Sequence, residues 1–222
     1  MTIKTSRYFG VETKFDCSNR FDEHRVQTLM GEVPQTKTIV GLCNSDTVFY
    51  DVGAAIGTMG LFIAHFAKKV ILIEPDPVHA NLLKRNIELN GFSNVDLYTL
   101  GVGNTNGDAQ LYTDNKTNGM CPSCRSGLGH RKSVNISMRT LDSLFEETGV
   151  PTILKMDIEG FEYEALEGMT QSPQTLFIEI HPMHAHNPNL PARITELLSP
   201  RYKQSYLYKR NTEWLSKWEL QQ

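Results

Sequence analysis

Basic residues are not in excess in this 222-residue chain: 22 Lys and Arg stand against 25 Asp and Glu, a net charge of −3. The electrostatic footprint that a nucleic-acid backbone demands is missing, so no nucleic-acid partner is expected. Short basic pairs such as Lys68-Lys69 and Arg131-Lys132 read as solvated element ends. Apolar runs are short as well. None approaches the roughly 20 residues of a membrane span, and Met1-Thr-Ile-Lys-Thr-Ser6 lacks the apolar centre of a signal peptide. The expectation is a soluble, cytoplasmic protein with no membrane partner. The four cysteines are too few and too unevenly spaced for a disulfide framework. Cys121-Pro-Ser-Cys124, with His130 close behind, has the spacing of a metal or redox pair. A zinc site needs a fourth ligand, and no second C-x-x-C supplies one. The segment therefore reads as a loop that carries two cysteines. Internal repeats and low-complexity stretches are also missing.

What is present is a strand–turn–helix unit. The β-rich run Thr47-Val-Phe-Tyr50 leads into Asp51-Val-Gly-Ala-Ala-Ile-Gly-Thr-Met-Gly60 and then the helical pattern Leu61-Phe-Ile-Ala-His-Phe-Ala67. Gly53 and Gly57 permit a tight turn against which a ligand can lie, because no Cβ stands in the way. About twenty residues on, the strand Val70-Ile-Leu-Ile73 ends in Glu74, an acid placed to accept hydrogen bonds from both ribose hydroxyls of an adenosine. The turn reads G-x-x-x-G and lacks the glycine triplet that brings backbone close to a pyrophosphate. S-adenosyl-L-methionine, which has no phosphate, fits this better than a dinucleotide.

The rest of the chain organises around that unit. Residues 1–45 form an N-terminal extension with a helix at Phe21 to Met30, and residues 46–222 form the main domain. Asp76-Pro77 is a helix N-cap followed by proline at the first position, and Gly91 is its stop. Leu82, Leu83, Ile87 and Leu89 supply that helix's buried stripe. A third strand, Val95 to Leu100, ends at Gly101. Gly103 to Ser137 reads as a long exposed loop with one strand at Ala109–Tyr112, and Thr140 starts a short helix. Further strands are expected at Ile153–Met156, before Asp157, and at Thr175–Ile180, before His181. A closing hairpin runs through Tyr202–Tyr208 and Glu213–Trp218. This alternation implies an α/β fold of three layers: a mostly parallel sheet covered on both faces, with one antiparallel edge strand. Right-handed crossovers then put Asp51, Glu74, Gly101 and Asp157 at strand carboxyl ends along one rim.

The segments Val48-Phe-Tyr-Asp-Val-Gly-Ala-Ala-Ile-Gly57, Glu74-Pro-Asp-Pro77 through Asn90-Gly91, Thr140-Leu-Asp142, Leu154-Lys-Met-Asp-Ile-Glu-Gly160 and Ile178-Glu-Ile-His181 run in one order over roughly residues 46 to 182. In that combination the chain resembles the FkbM family of S-adenosylmethionine-dependent methyltransferases. The resemblance implies the doubly wound, seven-stranded, Rossmann-like class I methyltransferase fold. It also implies methyl transfer to oxygen of a sugar, glycoconjugate or small metabolite. The family commonly has Asn where this chain has Ala55, which removes one polar contact beside the cofactor.

Candidate roles follow. Asp51, Gly53, Ala55, Gly57, Glu74, Asp76, Gly101 and Asp157 are candidate cofactor contacts, with Asp76 also the helix cap. Glu179 and His181 lie two apart on one strand face. Attack by an alcohol needs a general base, and a histidine near its ordinary pKa of about 6.5 suits that role. His181 is the candidate base, with Asp157 the alternative. A convergence of His181, His184, His186 and Asp157 on a metal is set aside, because loop histidines before Pro188 are more simply solvated. Glu159 is equally a helix cap, and Glu162, Glu164 and Glu167 read as a solvated helix face. Competing readings are an N- or RNA-methyltransferase and a non-catalytic S-adenosylmethionine-binding protein. The acceptor and the oligomeric state are not encoded in any motif.

Overall fold

The apolar runs before Asp51, Glu74, Asp157 and His181 are buried strands. A computed structural model describes residues 2–28, 33–113 and 132–221, and the chain divides into two units, Met1–Thr99 and Leu100–Gln222. Cys121, Cys124 and His130 lie outside the described residues.

The first unit opens with β1 (Thr2–Tyr8) and β2 (Val11–Cys17), an antiparallel hairpin in which Tyr8 faces Val11. Phe9 and Gly10 alone connect the strands, both at positive φ (49° and 80°), a turn geometry that matches strand twist. Helices α1 (Arg20–Thr28) and α2 (Val33–Leu42) follow. The helix read near Phe21 is α1, but the helical extension is corrected: it begins with a hairpin. β1 buries only Ser6, so it carries no apolar alternation by which to find it.

Next come β3 (Val48–Val52), α3 (Thr58–Ile63), β4 (Lys69–Ile73), α4 (Pro77–Asn90) and β5 (Val95–Tyr98). β4 pairs in parallel with β3 on one side and β5 on the other. All but the first residue of both β3 and β4 are buried, which accounts for their near-continuous apolar sequence. Helix α4 starts as expected: the Asp76 carboxylate accepts from the Val78 amide at 2.8 Å, and Pro77 is the first residue. Its buried residues are His79, Ala80, Leu82, Leu83 and Asn86, while Ile87 and Leu89 are only half-buried. Asn86 donates to the Ile56 carbonyl at 2.9 Å and accepts from the Asp16 amide at 2.7 Å. One turn on, Asn90 accepts from the Lys14 amide and donates to its carbonyl, at 2.8 and 2.7 Å. Two amides one turn apart thus occupy the backbone edge of β2.

The second unit begins with β6 (Gly101–Val102), β7 (Gly107–Thr113) and β8 (Lys132–Arg139), a three-stranded sheet with β8 in the middle. The long-loop expectation is therefore corrected at both ends, since β7 is longer than expected and β8 was not expected at all. Val134, Ile136 and Met138 alternate with polar residues along β8, and that period of two was its signal. Then follow α5 (Leu141–Thr148, capped by Thr140), β9 (Ile153–Met156), α6 (Glu162–Glu167), β10 (Thr175–Ile180), α7 (Leu190–Leu198), β11 (Tyr202–Arg210) and β12 (Glu213–Leu220). β9 and β10 are parallel. β12 is antiparallel to both β10 and β11 and lies between them, so the antiparallel strand is one in from the edge. With β3, β4 and β5 in the first unit and β9 to β12 in the second, the chain has the mostly parallel α/β architecture expected.

Candidate active site

In the first unit, the turn after β3 is built from left-handed backbone: Gly53, Ala55 and Gly57 have φ of 85°, 50° and 88°. The amides of Gly53 and Ala54 donate to the Ile73 carbonyl at 2.9 and 3.0 Å, stitching the turn to the end of β4. A Cβ on Gly57 would come within 2.4 Å of Leu83 Cδ1, so glycine there lets α3 and α4 pack against the turn. Ala55 takes the left-handed conformation that Asn tolerates better, and in doing so aims its amide at Glu74. Glu74 Oε2 accepts from the Ala55 amide at 2.7 Å and Oε1 from the Asp76 amide at 2.9 Å. Burial pushes the Glu74 carboxyl up to about 7, against the opposing pull of those two backbone donors. Asp51, near the end of β3, is buried. Gly101 stands in β6 opposite Met138. A Cβ there would meet Ile136 Cδ1 at 2.9 Å, so packing accounts for that glycine.

The second unit holds a denser cluster. β9 delivers Asp157, and the turn that follows carries Glu159 at φ 55° and Gly160 at φ 97°. A Cβ on Gly160 would lie 2.6 Å from the Ala185 amide nitrogen, so only glycine allows the turn after β9 to touch the turn after β10. That second turn follows His181, which is 4% exposed. His181 Nδ1 donates to Glu162 Oε1 at 2.8 Å, and Glu162 is completely buried. Its Nε2 lies 3.6 Å from Asp157 Oδ1, 3.7 Å from Glu159 Oε2 and 3.8 Å from Glu179 Oε1. His184 stacks on His181 with ring centroids 5.4 Å apart and donates from Nδ1 to Glu159 at 2.6 Å. Lys155 Nζ is 3.7 Å from Asp157 Oδ2, and Arg210 pairs with both Glu179 and Glu213.

Burial works against a charged His181, but the hydrogen bond to Glu162 and the charges of Glu162, Asp157 and Glu159 outweigh it and raise the imidazole to about 10. Burial and Asp157 push Glu179 up to about 8, against Arg210, His181 and Lys155. These neighbours favour the protonated imidazole, whereas the base expected of His181 is the neutral one. Three further expectations change. Glu162 is buried against His181, not on a solvated face; Glu159 binds His184 and does not cap α6; and His184 is not a free loop histidine. His186 is exposed, as expected. Asp157 and His181 are brought together, whereas Lys155 and Arg210 were missed. Arg210 sits on a hairpin strand whose pattern carried no chemical signal.

The Methyltransferase FkbM domain matches residues 51–209. The chain belongs to the FkbM methyltransferase family. Over 210 residues it is 28% identical to hexuronic acid methyltransferase AglP of Haloferax volcanii, covering 92% of this chain and 83% of that protein. Methyltransferase 1 of Beauveria bassiana is 25% identical over 151 residues, 56% of this chain and 59% of that protein. Among solved structures, an rRNA methylase from Streptococcus thermophilus aligns with a TM-score of 0.54 at 14% identity, covering 85% of this chain and 95% of that one. TrmK of M. capricolum, in complex with S-adenosyl-homocysteine, also gives 0.54, at 11% identity over 85% of this chain and 68% of that one. These two establish the fold, that of class I methyltransferases. No helix among the described residues is long and apolar enough to cross a membrane.

Proposed function

We propose that this FkbM methyltransferase uses S-adenosyl-L-methionine to methylate a hydroxyl of a sugar or similar small acceptor. The observation that carries the cofactor reading is Glu74, a buried carboxylate tied by Ala55 to the glycine turn. Each of its oxygens accepts one backbone amide and retains a lone pair, so the ribose hydroxyls find acceptors already oriented. The turn from Gly53 to Gly57 offers a surface where two of five residues lack side chains. Residues and cofactor fit. When bound, S-adenosylmethionine supplies a methyl group activated by its sulfonium.

The remaining work falls to the acceptor side. A neutral hydroxyl attacks poorly, so a group must take its proton. Because its neighbours favour the protonated form of His181, Asp157 is the group better suited to accept that proton. Its side chain is 29% exposed, against 4% for His181 and 8% for Glu179. Similarity to a hexuronic acid methyltransferase over 92% of this chain favours a glycan hydroxyl.

The test is S-adenosylhomocysteine production by the purified chain across hexuronic acids, neutral sugars and structured RNA. Turnover with a sugar acceptor, with the methyl group on oxygen, is the expected result. Turnover on RNA alone would replace the reading by nucleic-acid methylation. Tight cofactor binding with no turnover on any acceptor would favour a non-catalytic binder.

A further inference from the structure

We propose that Asp157, Glu159 and His181 form a binding site for one divalent first-row cation, of which Mn2+ is representative. One oxygen from each carboxylate and one imidazole nitrogen lie within 4.8 Å of one another. His181 Nε2 stands 3.6, 3.7 and 3.8 Å from oxygens of Asp157, Glu159 and Glu179. A charged N–H committed to one carboxylate would close to about 2.7–2.9 Å. Nε2 does so with none of the three. Donors bonded to a common cation at about 2.0–2.2 Å sit about 3.0–3.6 Å from each other. The observed separations from Nε2 to Asp157 and Glu159 reach that range with a movement of a few tenths of an ångström.

The other ring nitrogen supplies a second observation. Nδ1 is hydrogen-bonded to Glu162 Oε1, which also accepts from the Gly160 amide at 3.0 Å. An ionised carboxylate only accepts, so Nδ1 keeps its hydrogen; a cation bound at Nε2 displaces the other ring proton to solvent, and it is Nε2 that is turned toward Asp157 and Glu159. A carboxylate on the far nitrogen is the arrangement that orients metal-bound imidazoles. His184 does the corresponding service for Glu159, donating to Oε2 at 2.6 Å.

The donor set also selects among cations. Calcium collects six to eight oxygens, whereas imidazole with carboxylates suits manganese, iron or zinc. Glu179, His181 and Glu213 make an alternative grouping, but Arg210 bridges Glu179 and Glu213 and already supplies their positive charge. Three protein ligands leave positions open for oxygen-bearing ligands, water or an acceptor hydroxyl. The site itself does not depend on which acceptor is methylated.

Chelator-treated protein is titrated with MnCl2, and free Mn2+ is followed by its electron paramagnetic resonance signal. Wild type is expected to take up one equivalent. Glu159→Gln and Asp157→Asn, at partly exposed positions, should each weaken the dissociation constant at least tenfold while circular dichroism stays native. Glu213→Gln should leave it unchanged. Mn2+ binds thiolates poorly, so a Cys121→Ser/Cys124→Ser variant should behave as wild type, which separates this site from the cysteine pair. No uptake by natively folded wild type at millimolar Mn2+ would overturn the proposal. So would binding that survives both Glu159→Gln and Asp157→Asn. The readout is cation binding, so a failure to find turnover leaves it intact.

Discussion

Ala55 donates its backbone N–H to Glu74 Oε2 at 2.7 Å across nineteen positions of sequence, tying the glycine turn to the end of β4. The bond places a buried carboxylate under two opposing pH demands. Glu74 is raised to about 7 by burial, with Asp76 adding to the rise and Arg25 opposing it. A raised folded pKa means that protonation favours folding. This contribution is fully present below about pH 4.5 and is lost as pH rises through about 7, a change on the order of 3 kcal/mol. Ribose hydroxyls instead favour the ionised form. S-adenosylhomocysteine should therefore bind more tightly as pH rises through about 7, while urea stability falls. Glu74→Gln should flatten both trends and weaken binding by roughly 1.5–3 kcal/mol. Calorimetric titrations and urea melts at about pH 5.5 and about pH 8.5 read the two slopes; parallel slopes in wild type and variant would remove Glu74 from the cofactor site.

Glu162 holds His181 Nδ1 in the interior. Glu162→Leu leaves a buried imidazolium without its nearest counter-charge, and breaking such a pair costs about 3–5 kcal/mol. Equilibrium denaturation measures this. A loss below about 1 kcal/mol, the range of surface pairs, would show that the pair is not sealed from water.

Gly160 brings two turns into contact at φ 97°, where a Cβ would meet backbone at 2.6 Å. Gly160→Ala should cost roughly 2–4 kcal/mol, from left-handed strain plus overpacking. Gly91 is also left-handed, at φ 67°, but a Cβ there meets nothing within 4 Å. Gly91→Ala should cost only about 1 kcal/mol. Equal melting-temperature losses in the two variants would contradict the close approach at Gly160.

Much of the fold was legible because parallel strands are buried on both faces. β4 and β10 could be read from Val70 to Ile73 and from Thr175 to Ile180 with no knowledge of their neighbours. The cap at Asp76 was legible for a local reason, a short acceptor followed by proline. β1 was not, because it buries one serine and its turn is Phe9-Gly10 in place of a familiar Asn-Gly. Asn86 lay outside the apolar stripe read for α4, because its partners, Ile56 and Asp16, lie 30 and 70 positions away. In the acidic cluster, Asp157 and His181 were visible as residues at strand ends. Glu162 was not: it opens α6 in a run of acids, and only the turn at Gly160 folds it inward against the ring. Its burial is a tertiary fact with no period in the sequence.

β12 lies between β10 and β11 although it follows both in the chain. β11 therefore has no place in the sheet until β12 lies beside β10. Thr175 pairs with Glu219 and Ile180 with Trp214, separations that make this a late, non-local step. Until then one edge of β10 stays open, a template for stray strands from other chains. Arg210 travels on the same hairpin, so Glu179 gains that counter-charge only when the edge closes. During biosynthesis the sheet edge and the acidic cluster would mature together, leaving a brief window in which the protein is both adhesive and electrostatically unfinished.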